Sequence, residues 1–159
     1  MNLKILKNLK KIRNVNIKPE DLITYEKKVQ KEYEKGRIKT PVHLSSGNEK
    51  ELISIFQYIS PKDWIFSSWR NHYQALLHGI SEEYLFSEII EGKSMSINNM
   101  NPNFYSSSIV GGIIPIAIGV AQAIKLNKLN KNVWCFIGDM TYDPDLLSPE
   151  SHLWDGGFS

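Results

Sequence analysis

The segment Val133-Trp134-Cys135-Phe136-Ile137-Gly138-Asp139 constrains the fold more than any other part of the chain. A near-continuous apolar run over Lys131–Gly138 predicts a parallel strand covered on both faces, since such runs are stable only where both sides of a sheet are buried. The run closes in Gly-Asp and so delivers a carboxylate at a strand's end. Upstream, Gly111–Leu126 reads as a helix whose small residues Gly112, Gly119, Ala121 and Ala123 let it approach a sheet closely. Pro115 is compatible with that helix if it lies in the first turn. Helix, strand and Gly-Asp turn together predict an open α/β sheet, in which ligands sit beyond the carboxyl ends of the strands.

Further helices are predicted over Leu22–Gly36, Asn48–Tyr58, Arg70–Gly79 and Glu82–Ile90, with Gly36 a stop for the first and Ser81 an N-cap for the last. Trp64–Ser67 reads as a short extended segment. Glu91–Ser108, rich in Asn, Ser, Gly and Met, reads as a loop. No strand is predicted after Gly138, so the sheet either takes strands from upstream or is incomplete. The expectation is one α/β domain over residues 1–159, an open parallel sheet flanked by helices and incomplete at its C-terminal side.

Composition narrows the function classes. A formal net charge of +2 over 159 residues gives no basis for a nucleic-acid partner. The apolar stretch Ile109–Ile124 falls short of the ~20 residues a membrane-spanning helix needs. It reads instead as a buried helix of a soluble fold. Cys135 is the single cysteine, which excludes a disulfide within the chain and favours a reducing compartment, the cytoplasm. The first nineteen residues carry six basic side chains and no acid before Glu20. Organellar transit peptides favour Arg and Ser. A basic surface helix with Ile5, Leu9 and Ile12 on one face, or a basic arm, is the expectation.

The chemistry-bearing residues cluster. Arg70 offers a planar, permanently charged fork suited to phosphate oxygens, although a lone arginine is more often a solvated surface group. Trp69 beside it can flank a ligand with its face or simply fill a core. His43, just before Ser45-Ser46-Gly47, and likewise His72 and His78, can move a proton or serve as hydrogen-bonded structural histidines. Asp139 suits a hard cation such as Mg²⁺ or caps the following turn. Ser106-Ser107-Ser108-Ile109-Val110-Gly111-Gly112 leads into a helix and can present backbone N–H groups to a polar ligand. A P-loop, a dinucleotide fingerprint, zinc spacing and a nucleophile elbow are all missing from the sequence.

Six pieces in order resemble the alpha subunit of the thiamine-diphosphate-dependent 2-oxo acid dehydrogenase E1 components. These are Gly36-Arg37-Ile38 before His43, Gly47-Asn48-Glu49, Trp69-Arg70-Asn71-His72, Gly92-Lys93-Ser94-Met95-Ser96, Ile109-Val110-Gly111-Gly112-Ile113-Ile114-Pro115 and Gly138-Asp139. The resemblance runs from about Tyr25 to Thr141 and implies the thiamine-diphosphate-binding fold. It implies that Arg70 holds the diphosphate with Trp69 in a tyrosine's place, and that Gly138 and Asp139 open the metal motif, Asp139 binding Mg²⁺. Ser108 would offer its carbonyl to the aminopyrimidine, and Val110 would be the apolar wedge that bends the cofactor. His43 would sit over the reacting carbon, and His72 stands at the motif's histidine as a second catalytic candidate. The implied reaction is decarboxylation of a 2-oxo acid with transfer of the acyl fragment to a lipoyl group. The implied partners are an E1 beta subunit supplying the activating glutamate and a lipoylated acyltransferase (E2), in a heterotetramer-based assembly. Met140 stands where the metal motif has its second glycine, the loop with Lys93 is short, and the family's asparagine metal ligand has no counterpart in this sequence. A non-catalytic interaction subunit and a module binding some other phosphorylated small molecule therefore stand as alternatives.

Overall fold

The computed structural model describes residues 10–138. Helix α1 (Pro19–Glu34) starts where proline's missing N–H costs nothing, and Asp21 Oδ2 accepts the Lys18 N–H at 2.8 Å. Leu22, Tyr25, Glu26 and Val29 form its buried stripe at helical spacing, and Gly36, at φ +69°, ends the helical run as expected. Helices α2 (Glu49–Phe56), α3 (His72–His78) and α4 (Glu82–Ile90) follow the predicted positions to within a few residues. Ser81 caps α4, its Oγ accepting the Tyr84 N–H at 3.2 Å. α3 is buried along its whole length.

Four strands make one sheet, β1 (Trp64–Ser67), β2 (Asn98–Asn99), β3 (Phe104–Ser106) and β4 (Val133–Phe136), in the order β2-β3-β1-β4. β1 pairs in parallel with β3 and β4, while β2 runs antiparallel at one edge. The upstream strands thus give β4 a sheet to join. Ser67 lies opposite Ser106 on one side and Phe136 on the other, so the carboxyl ends of the three parallel strands form one row.

Strand periodicity divides the interior in two. Ile65 points into a core shared with α1 to α4, where Leu22, Val29, Phe56, Leu85, Ile89 and Phe104 are buried. Phe66 points the other way, against Ile113 and Ala117 of α5 (Ile113–Leu126). A buried carboxylate fastens the sheet. Asp63, 1% exposed, accepts the Asn132 N–H at 2.8 Å and the Trp134 indole N–H at 3.0 Å, tying β4 to the turn before β1.

Three expectations need correction. Glu91–Ser108 is not all loop: β2 and β3 lie within it, too short to show alternation, with Phe104 buried in the larger core. β4 meets both cores, Trp134 and Phe136 packing on the larger and Val133 on the smaller, but it is not fully buried. Among the described strands it pairs only with β1, its side chains are half-buried, and Cys135 is exposed. α5 is not a buried helix, since only Ile113, Ala117 and Ile124 are buried and Ile116 is 40% exposed. The basic stretch fits the second of its two readings, an arm: residues 10–18 form no helix. They run as an extended arm held by Arg13, whose Nε donates to the Phe56 carbonyl and Nη2 to that of Leu77, each at 2.9 Å. Ile5 and Leu9 lie outside the described residues, and Ile12 is 55% exposed. No helix among the described residues is long and apolar enough to cross a membrane.

Candidate functional site

A cavity of about 510 Å³ opens at the carboxyl ends of β1 and β4. That is the size range of small-molecule sites, and the position is the one an open parallel sheet offers a ligand. Three segments wall it: the strap Leu44–Ser46 with Asn48, the turn Ser68-Trp69-Arg70 with Gln74 of α3, and Phe136-Ile137-Gly138 beyond β4. The strap and the turn both lie on the side of the sheet that α1 to α4 cover.

Three of the predicted residues line the cavity: Trp69 and Arg70 from the turn after β1, and Gly138 from beyond β4. Arg70 is exposed and forms no ion pair with a described residue, leaving its fork available to an anion. The His43 ring, half-buried on the same strap, lies 6.2 Å from the Trp69 ring at 56°. Ser108 and Val110 are exposed at the entry to α5 and do not line the cavity. Asp139, the expected metal ligand, lies outside the described residues, as does Met140. Among the described residues no cluster of three or more His, Cys, Asp or Glu could hold a metal.

His72 is placed elsewhere. It is 0% exposed and does not line the cavity. Its Nδ1 lies 3.1 Å from Glu26 Oε2 and its Nε2 lies 2.9 Å from Ser94 Oγ. His78 is also buried, its Nε2 3.1 Å from the Asp63 carbonyl oxygen. Burial holds His78 below the usual histidine range; hydrogen bonds to the Pro102 and Asp63 backbone oppose this only in part.

The strap is held from two helices. Glu26 Oε1 accepts the Ser45 N–H at 3.1 Å. The Tyr73 hydroxyl of α3 lies 3.1 Å from both the Ser45 carbonyl oxygen and Glu49 Oε1. Glu49 Oε1 also accepts the Gly47 N–H at 3.0 Å. Burial alone would raise the Glu49 carboxyl, but the N–H groups of Glu49 and Gly47 and the Tyr73 hydroxyl outweigh it and hold the group below the usual carboxylate range. The Tyr73 hydroxyl is raised in turn, by burial first and by Glu49 second.

The donor set fits an anionic, partly aromatic ligand. It combines one unpaired guanidinium, the hydroxyls of Ser46 and Ser68, the Asn48 amide and the Trp69 ring. Gln74 Oε1 is buried against this wall without a hydrogen-bond partner among the described residues. Buried polar atoms are rarely left so. Sequence reasoning missed Glu26, Ser94, Asp63 and Gln74. Glu26 alone carried a signal, a carboxylate in the middle of the apolar stripe formed by Leu22, Tyr25 and Val29.

Residues 20–141 match the family of the dehydrogenase E1 component. Curated relatives agree. The mitochondrial pyruvate dehydrogenase E1 component subunit alpha of Dictyostelium discoideum is 30% identical over 67% of this chain and 30% of its own length. The corresponding subunit of Rickettsia typhi is 32% identical over 72% of this chain and 38% of its own. The testis-specific mitochondrial form of Rattus norvegicus is 28% identical over 86% of this chain and 34% of its own. The chain thus spans about a third of the length of these relatives.

Proposed function

The chain belongs to the dehydrogenase E1 component family, and from that we propose that its cavity binds thiamine diphosphate as part of a 2-oxo acid dehydrogenase E1 alpha subunit. One observation carries the reading. The guanidinium of Arg70, unpaired among the described residues, and the Trp69 face stand together at the carboxyl end of a parallel sheet, across from Gly138 at the end of the neighbouring strand. Arg70 binds the diphosphate through bidentate, charge-assisted hydrogen bonds. Asp139, one residue past Gly138, contributes to a Mg²⁺ site whose other ligands are phosphate oxygens and water. When bound, the cofactor supplies the electron sink for decarboxylation of a 2-oxo acid.

The chain's own residues bind, orient and exclude water. Trp69 closes one side of the cavity and fixes the neighbouring His43 ring. His43, on the strap, is the group placed to move a proton at the substrate. His72 acts from behind the wall. Ser108 and Val110 approach the cofactor from the entry to α5. The partners are an E1 beta subunit, which brings the activating glutamate, and a lipoylated acyltransferase. The compartment is a reducing one, the cytoplasm, as the single cysteine suggests.

The test is calorimetric titration of the chain with thiamine diphosphate and Mg²⁺, with and without an E1 beta subunit, followed by a decarboxylation assay on pyruvate. Saturable, Mg²⁺-dependent binding with turnover in the pair supports the reading. Tight pairing without cofactor affinity would mean an interaction subunit. Affinity for other phosphate esters alone would mean a different ligand class.

A further inference from the structure

We propose that Glu26 and His72 form a positioning relay that couples the 92–96 loop to the strap bearing His43, so that Ser94 helps set the shape of the cavity wall. The significance for catalysis rests on the function proposed above; the coupling itself does not.

Hydrogen-bond accounting gives the relay a direction. Glu26, His72 and Ser94 are 4%, 0% and 0% exposed, so each polar atom needs a partner within the protein. Among the described residues the Ser94 hydroxyl has a single acceptor in reach, His72 Nε2 at 2.9 Å. That nitrogen therefore carries the lone pair, and Nδ1 carries the proton. Nδ1–H donates to Glu26, 3.1 Å from Oε2 and 3.2 Å from Oε1. Oε1 also accepts the Ser45 N–H. The run from loop to strap is thus Ser94 O–H to imidazole, imidazole N–H to carboxylate, and strap N–H to the same carboxylate. Each bond polarises the next in a buried, low-dielectric setting.

The same knot reaches the other walls. Asn71 Nδ2 donates to the Ser94 carbonyl oxygen at 3.0 Å and lies 3.2 Å from Ser106 Oγ, in the row of strand ends. Asn71 directly follows Arg70. Gly92, at φ +89°, lies against Thr40 in the segment that leads to the strap: a Cβ there would meet Thr40 Cγ2 at 2.8 Å. The loop is thus packed just ahead of the strap and joined to it through the relay at Ser45.

Hydroxyl, imidazole and carboxylate stand in the order of a nucleophilic triad. Burial decides against that use. Ser94 and His72 are both 0% exposed and, among the described residues, line none of the cavities, so the hydroxyl is not presented to a substrate. The arrangement orients instead.

The experiment uses the full chain, ¹⁵N-labelled. In the wild type, the imidazole nitrogens of His72 should read as a protonated Nδ1 and an unprotonated Nε2; the opposite tautomer overturns the relay without any variant. Glu26→Gln keeps the acceptor for Ser45 but turns an NH₂ toward Nδ1, so the ring should switch to the Nε2–H tautomer. Ser94→Ala removes an atom that does not touch the strap. The Ser45 amide should nevertheless shift, exchange with solvent about tenfold faster, and carry the Trp69 indole signal with it. A Ser45 amide unchanged in both shift and exchange, with only Ser94's neighbours responding, would reduce the knot to space-filling and sink the proposal. Thiamine diphosphate and Mg²⁺ titrated into the same samples, with an E1 beta subunit present, report separately: a pair that does not bind the cofactor refutes the proposed function and leaves the relay to be judged by the Ser45 and His72 signals.

Discussion

The two faces of the sheet are built on different terms. One carries four helices over a shared core in which buried polar groups are mostly partnered. The other carries, among the described residues, α5 alone, a helix far more apolar than α1, yet with Ile116 40% exposed, Leu126 82% exposed, and Ile109 and Val110 exposed ahead of it. Apolar composition did not decide burial; the number of elements packed on each face did. Stability therefore resides on the face of α1 to α4, and the cavity is walled from that face, where rigid elements hold its side chains.

The sharpest ways to break this comparison are truncations in the larger core and at the carboxylate that ties β4 to the turn before β1. Phe56 is fully buried, and its ring stacks on Phe136 with centroids 5.5 Å apart. Phe56→Ala should cost ~3–5 kcal/mol in chemical denaturation, the transfer term plus a cavity; a loss below ~1 kcal/mol would mean that this core is not what holds the fold. Asp63→Ala leaves buried N–H groups of Asn132 and Trp134 without an acceptor. It should cost ~1–3 kcal/mol, with amide exchange rising selectively in β4. A uniform rise across the sheet would contradict the local role.

Acid provides a graded test of the first face. Burial lowers the folded-state pKa of His78 from its ordinary 6.5, so the unfolded chain binds the proton more readily. Its contribution is intact above about pH 6.5 and is lost as pH falls below that value. Thermal melts at about pH 7.5 and about pH 5.5 should show this loss, and His78→Gln should flatten it; an equal loss in the variant would assign it to other groups. The smallest effect belongs to the open face, where Ile116→Ala should change stability by ~0.5 kcal/mol or less. A larger penalty in the isolated chain would mean that α5 is better covered than its exposure indicates.

Most of the architecture was legible from residue patterns. The helix ends at Gly36 and Gly79, the Ser81 cap and the extended run at Trp64 follow from local chemistry that tertiary packing did not override. β3 was not legible because three residues cannot display a period, and its Phe104 looked like one aromatic in a polar loop. The thin cover over β4 and α5 was not legible either, since an apolar run signals what a segment can bury and not what is present to cover it. At the site, Arg70, Trp69 and Gly138 were found by motif and brought together by the sheet. His72 was singled out by motif, but its burial and its partners were not legible, because Glu26 and Ser94 are 46 and 22 residues away in sequence. Asp139 lies beyond the described residues, so the Mg²⁺ reading rests on sequence.

The central claim, that the cavity holds a diphosphate on the Arg70 guanidinium, is tested most directly by comparing the wild type with Arg70→Ala in a titration with thiamine diphosphate and Mg²⁺. The predicted loss is ~1.5–3 kcal/mol, roughly ten- to 150-fold in Kd, with the thermal melt unchanged because the side chain is exposed. Equal affinities for the two proteins would contradict the account.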